Sequence, residues 1–177
     1  MFPSLSRRDL LKVVAAGALA GALPAAASAG PLRRVRFLQG DDGTVSGHMT
    51  GAAALVETLL KEGVECVYGI PGAQDNELWD TMKTKGLPYL LVTHEFSAAC
   101  MADGYARSTG KPGVLCVVPG PGVTNSLTGL GEALLDSSPV VAIVCDVARG
   151  EKYRPFQVHE LPQVGVMEQV TKGVFPV

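Results

Sequence analysis

The chain has 177 residues, 47% of them hydrophobic and 18% charged, a balance that fits one soluble globular domain with a real core. Its net charge of -2 hides an asymmetry: residues 1–40 carry six Lys/Arg and one Asp (about +5), and residues 41–177 carry nine Lys/Arg and sixteen Asp/Glu (about -7). The basic part is therefore a leader or arm, and the mildly acidic body has no basic stripe, which excludes a nucleic-acid footprint.

In chain order, the leader comes first. Arg7, Arg8 and Lys12 precede an apolar run from Val13 to Leu23, and Ala27-Ser28-Ala29 offers an A-x-A cleavage site. This is the layout of an export signal over residues 1–29. The run is too short, and too rich in Ala and Gly, for a stable membrane span. Ser6 to Lys12 resembles the twin-arginine motif, with Leu10 where Phe is commoner. Export to the periplasm is the expectation. The alternatives are an uncleaved helical anchor, or a true start at Met49 and a cytoplasmic protein. Residues 30–48, with Arg33, Arg34, Arg36 and Gly-Asp-Asp-Gly, read as a solvated linker.

From Thr50 the pattern becomes regular. Thr50 caps a predicted helix over 51–62, with Ala52, Leu55, Val56, Leu59 and Leu60 on one face and Gly63 at its end. Val64 to Tyr68 reads as a strand, followed by Gly69-Ile70-Pro71-Gly72. A helix over 75–84 turns Leu78, Trp79 and Met82 inward. Pro88 to Thr93 is a strand, 95–108 a helix closed by Gly110, and Gly113 to Val118 a strand. After Pro119-Gly120-Pro121-Gly122 come a helix over 123–136 and an apolar strand from Pro139 to Cys145. Residues 146–162 read as a long surface loop, and 163–170 as a short helix. Apolar strands alternating with helices predict a parallel sheet buried on both faces, in a doubly wound α/β domain. Ligands of such sheets bind outside the carboxyl ends of the strands. Gly69–Gly72, His94–Glu95 and Pro119–Gly122 follow those ends and are expected to converge on one crevice.

Glu95 lies in the first turn of its helix, where a carboxylate is stabilised by the helix dipole whether or not it does chemistry. Ala98, Ala99, Cys100 and Ala102 predict close packing around it, and a desolvated carboxyl is suited to exchanging a proton with a bound heterocycle. His94 reads first as a residue fixing the turn, His48 as linker, and His159 as a loop residue. Cys66, Cys100, Cys116 and Cys145 read as small buried hydrophobes, because no pair has zinc or CxxC spacing. No metal site is expected from spacing within the chain. Gly120 to Asn125 falls one glycine short of G-x-G-x-x-G, so a dinucleotide fold is a weak rival.

Three ordered segments carry a more specific signal: TGAAALVETLLKEGVECVYGIPG, VTHEFSAACMADGYARSTGKPGV and PGPGVTNSLTGLGEALLDSSPVVAI. Over residues 50–177 the chain resembles the N-terminal, pyrimidine-binding domain of thiamine-diphosphate enzymes. It is most similar to the acetolactate synthase group, with benzoylformate, pyruvate and oxalyl-CoA decarboxylases as more distant relatives. The resemblance implies that Glu95 hydrogen-bonds N1′ of the aminopyrimidine, favouring the tautomer that removes the thiazolium C2 proton. The activated cofactor would then decarboxylate a 2-oxo acid and, in the synthases, join the product to a second one. It also implies that Ile70, Pro71 and Gly72 lie beside the pyrimidine. Pro121, Gly122 and Asn125 would pack on the cofactor, and Phe156 and Gln157 would border the substrate. Val158-His159 precede Glu160 where the synthases have an acid directly, a departure on the substrate side.

In the family, diphosphate and Mg²⁺ are held by a separate C-terminal domain, and FAD, where used, lies largely in a middle domain. The resemblance thus implies a truncated domain over 49–177, part of a homodimer or homotetramer whose site is completed by protein beyond this sequence, and the leader adds the expectation of export. One alternative is the pyrimidine-domain subunit of a split 2-oxo acid decarboxylase with a separate diphosphate-domain chain. Another is an exported binding module without catalysis.

Overall fold

The computed structural model describes residues 45–177, which form one compact unit. The expected signal peptide over 1–29 and most of the linker lie outside the described residues.

Thr50 opens α1 (Gly51–Lys61) by accepting a hydrogen bond from Ala53 N–H on its hydroxyl, 3.1 Å away. That satisfies a donor which the helix itself leaves unpaired. Then come β1 (Val67–Gly69), α2 (Asn76–Lys85), β2 (Tyr89–Leu91), α3 (Glu95–Thr109) and β3 (Gly113–Val117). They are followed by α4 (Pro121–Leu135), β4 (Val140–Val144) and α5 (Gln163–Met167). The strands form one parallel sheet in the order β2-β1-β3-β4, with Val67 paired to Tyr89 and Val114, and Val114 to Val141.

Strand periodicity divides the core between the two faces of β3. Val114 and Cys116 face Val56 and Leu59 of α1 and Leu78, Trp79 and Met82 of α2. Leu115 and Val117 face Ala98, Ala99 and Ala102 of α3, Val123 and Leu130 of α4, and Met167 of α5. Helices thus cover both faces, and the doubly wound α/β class expected from the pattern is the observed one.

The structure corrects several details. Pairing in β1 begins at Val67 rather than Val64, because Val64 N–H donates to Leu59 O and still belongs to the turn that ends α1. Helix α4 begins at Pro121 rather than at 123, since proline at the first helical position supplies a suitable φ and lacks only an N–H the helix would not use. Apolar runs buried on both faces were expected for every strand, yet only β3 is buried throughout. Strands β2 and β4 lie at the sheet edges, and Leu90 and Leu91 are 47% and 53% exposed. Helix α5 stops at Met167, and Gln169 and Val170 continue as tight turns bonded back to Val166 and Met167.

Candidate functional site

The sheet order sets the location of the site. From β1 the chain crosses to β2 on one side, and β3 then joins the other side of β1. The connections leaving β1 and β3 therefore diverge, and a crevice opens at such a switch point. Its walls are the loop Ile70–Gly72, the start of α3 at Glu95, and the turn from Val118 to Pro121.

Two of these walls touch. A Cβ placed on Gly72 would meet Val118 Cγ1 at 2.4 Å, so the loop after β1 lies directly on the turn after β3. A buried acid fixes this loop. Asp75, only 2% exposed, accepts hydrogen bonds from Gly72 N–H at 2.5 Å on Oδ1 and from Trp79 Nε1–H at 3.0 Å on Oδ2. Its carboxylate thus reaches back to the loop rather than capping α2, whose N-terminus it occupies. Trp79 in turn packs edge-on against Tyr89 with ring centroids 5.5 Å apart, which joins the loop to the core. Asp75 was not singled out in the sequence. The available signal was an acid three residues after a Pro-Gly turn, a spacing that lets a short side chain bond back to the turn.

The third wall carries the acid. His94 caps α3, its Nδ1 accepting from Phe96 N–H at 3.2 Å, which is the turn-fixing role expected of it. Glu95 follows and is half-buried. Asn125, in the second turn of α4, donates from Nδ2 to Glu95 Oε2 at 2.9 Å. The pair can form because α3 and α4 pack closely. A Cβ on Gly129 would meet the Ala99 Cβ at 2.6 Å, so these helices approach to a distance that only a small residue permits. Among the described residues, Oε1 of Glu95 accepts no hydrogen bond.

The remaining candidates divide. Gly72 is partly buried, and Ile70 and Pro71 stand on the loop with Pro71 exposed. Pro121 is exposed beside Asn125, whereas Gly122 is buried against Val117 and Val118 and serves helix–strand packing. The loop over 146–162 crosses the turn at Gly120: a Cβ there would lie 2.8 Å from His159 O, and Gly120 has φ +65°. His159 Nδ1 sits 3.4 Å from Gln74 Oε1, so this histidine borders the crevice. Phe156, at φ 59°, is 100% exposed, and Gln157 is partly buried with its N–H donated to Arg154 O. The structure does not bring Phe156 into the crevice wall.

The cysteines depart from the expectation of uniform burial. Cys116 is buried and Cys66 and Cys145 are partly so, but Cys100 is exposed, because its position on α3 faces away from the layer formed by Ala98, Ala99 and Ala102. The Sγ atoms of Cys116 and Cys145 lie with an Asp75 oxygen within 4.8 Å of one another. Linear spacing could not show this grouping, since Cys116 is 41 residues from Asp75.

A parallel doubly wound sheet, two glycine loops in contact and a carboxylate steadied at the neighbouring helix start define an α/β cofactor-binding domain. Comparison with known proteins gives the family. Residues 49–169 match the model of the thiamine pyrophosphate enzyme, N-terminal TPP binding domain. The chain belongs to this family. It is 40% identical over 129 residues to the acetolactate synthase large subunit of Buchnera aphidicola (from Schizaphis graminum), covering 72% of this chain and 22% of that protein. Acetolactate synthase isozyme 2 large subunit of Escherichia coli is 48% identical over 100 residues, 56% of this chain and 18% of its own length. A probable 2-ketoarginine decarboxylase of Pseudomonas aeruginosa is 47% identical over 95 residues, 54% of this chain and 17% of its own. The chain thus spans about a fifth of the length of these curated relatives.

Proposed function

We infer that this domain supplies the pyrimidine-side wall of a thiamine-diphosphate enzyme that decarboxylates a 2-oxo acid and joins the product to a second one. The observation that carries the reading is the Asn125–Glu95 pair at the strand ends, with one oxygen held and the other unoccupied by any described donor. A carboxyl group so placed fits the amino-substituted pyrimidine ring, which needs at a ring nitrogen one fixed group able to give a proton and take it back. Thiamine diphosphate, when bound, supplies a carbon nucleophile for the keto carbon of the substrate.

The chain's own residues contribute position and proton control. Glu95 holds a proton at its free oxygen and shares it with the ring nitrogen. Asn125 keeps the other oxygen from rotating away. Ile70, Pro71 and Gly72 form the ring's lateral wall, steadied by Asp75, and Pro121 lines the opposite side. Gln157 and His159 are placed on the substrate side by the loop that crosses Gly120. Mg²⁺, and FAD if used, belong to other domains of the full enzyme, assembled as a homodimer or homotetramer or with a separate diphosphate-domain chain. The N-terminal arginine pair, apolar run and A-x-A site support export by the twin-arginine route, which a reporter fused to residues 1–48 tests by its compartment.

The test of the site is Glu95→Gln in the enzyme completed with a diphosphate-binding domain. Proton transfer by a positioned carboxyl contributes about 10²–10⁴-fold, so 2-oxo acid decarboxylation should fall by at least about 100-fold. Cofactor affinity, measured by calorimetry, should change far less. Equal decarboxylation by the two proteins would remove Glu95 from this role.

A further inference from the structure

Below the crevice floor lies a second constellation that the proposed chemistry does not use. Cys116 stands in β3, its backbone fixed between β1 and β4. Cys145 follows β4, and both its backbone groups are engaged: its N–H donates to Val117 O at 3.1 Å, and its carbonyl accepts from Gln163 Nε2 at 2.8 Å. Asp75 faces both from the start of α2, its carboxylate held by Gly72 N–H and Trp79 Nε1–H. Cys116 Sγ is 3.9 Å from Asp75 Oδ2, and the ligand atoms of all three residues lie within 4.8 Å of one another. Contact with the Cys145 thiol, then burial, then the nearby Asp75 charge push the Cys116 thiol far above its ordinary value, so without an added cation this thiol keeps its proton.

The geometry points to a site for one thiophilic divalent cation of the zinc class, bound by Cys116 Sγ, Cys145 Sγ and an oxygen of Asp75. Zinc takes thiolates at about 2.3 Å and carboxylates at about 2.0 Å, so tetrahedral binding sets S···O near about 3.5 Å and S···S near about 3.8 Å. The observed separations reach those values if each pair closes by no more than about 1.3 Å. Two thiolates and one carboxylate suit zinc and not Mg²⁺, which demands oxygen ligands and keeps several waters. The site is thus chemically distinct from any Mg²⁺ that accompanies diphosphate, and it does not depend on the role of Glu95. Hydrogen bonds to the Asp75 carboxylate provide the outer support such ligands need. Cys145 is the least buried of the three residues, so the ion would enter from its side, with water in the fourth position. Binding exchanges two thiol protons for the cation: both S–H bonds break, two protons pass to solvent, and two metal–sulfur bonds form without any change of oxidation state. Through Asp75, the ion would brace the Gly72 loop from beneath.

Cobalt(II) added to the metal-free 177-residue chain under a non-thiol reductant is the direct probe. One equivalent should produce thiolate-to-cobalt absorption in the near ultraviolet and tetrahedral d–d bands in the visible. A pH indicator should record two protons released per ion, and zinc should bleach the bands. Cys145→Ser, at the partly exposed position, should fold as the parent does and lose at least about tenfold in cobalt affinity, since losing even an outer partner of a metal ligand costs about 10–100-fold. Zinc should raise the thermal midpoint of the parent and leave that of Cys145→Ser unmoved. Saturating cobalt without a near-ultraviolet band, or equal bands in parent and Cys145→Ser, would overturn the assignment.

Discussion

Asp75 is the residue on which the crevice depends most. Its carboxylate receives a backbone N–H, an indole N–H and the Cys116 thiol while almost wholly removed from water. Asp75→Asn keeps the shape but turns one oxygen into a donor that must face another donor. Leaving a buried group so mismatched costs about 1–3 kcal/mol, and urea denaturation of the chain should show a loss in that range. An unchanged midpoint would mean that the loop is held by something else. Asn125→Ala tests the partner of Glu95. If Asn125 holds Glu95 in the geometry that proton transfer needs, turnover of the completed enzyme should drop about tenfold, equivalent to about 1.4 kcal/mol of barrier. Asn125 is exposed, so stability should move by less than about 0.5 kcal/mol. Glu95 was visible in the sequence because an acid beginning a helix after an apolar strand is a local pattern. Asp75 was not, because its burial and its thiol partner exist only once β3 and α2 have packed.

At the scale of elements, the end of the sheet opposite the crevice is tied by charge. Tyr105 of α3 donates to Glu65 Oε2 at 2.6 Å, and Lys111, before β3, pairs with the other oxygen. Hydrogen bonds from Lys111 and then Tyr105 lower the Glu65 carboxyl below its usual range. A group lowered on folding adds stability above its unfolded value and loses it as pH falls through the folded one. The same contact raises Lys111, whose contribution is complete below the usual lysine value and vanishes as pH rises through the raised one. Lys111→Ala should therefore lower the neutral plateau of the stability–pH curve slightly and leave its acid end, where Glu65 is protonated, unmoved, so that the acid limb flattens, as urea midpoints across pH would record. The group is exposed, and the effect should shrink in salt. Element order and type were legible because apolar runs separated by capped amphipathic segments specify them locally. Strand lengths and edges were not, since an apolar residue reads alike at an edge and in the middle of a sheet. The start of α4 was displaced by reading Pro121-Gly122 as turn only, although proline also begins helices.

For the whole molecule, the proposed reading makes the described residues one face of a site. In it Glu95, Asn125 and the two glycine loops grip the ring of a cofactor, while the resemblance assigns its charged diphosphate to another domain. The chain by itself is therefore expected to bind thiamine diphosphate weakly, even with Mg²⁺. Calorimetry showing tight binding by the 177-residue chain would contradict this division of labour. The family was legible because three motifs kept their order and spacing through the whole α/β pattern. The substrate side was less so. Phe156 and Gln157 lie in a loop whose path is set by contacts with Gly120 and Gln74, and such contacts leave no periodic trace in a sequence.

The contact between Ala99 and Gly129 has a consequence for the history of such a domain. Positions 99 and 129 share a space with room for about one methyl group, so neither is free to vary alone. A library randomised at both should return survivors in which one position enlarges only as the other shrinks, Ala99→Gly with Gly129→Ala among them. Inheritance would then act on the pair as a unit, under a constraint imposed by the distance from Glu95 to Asn125.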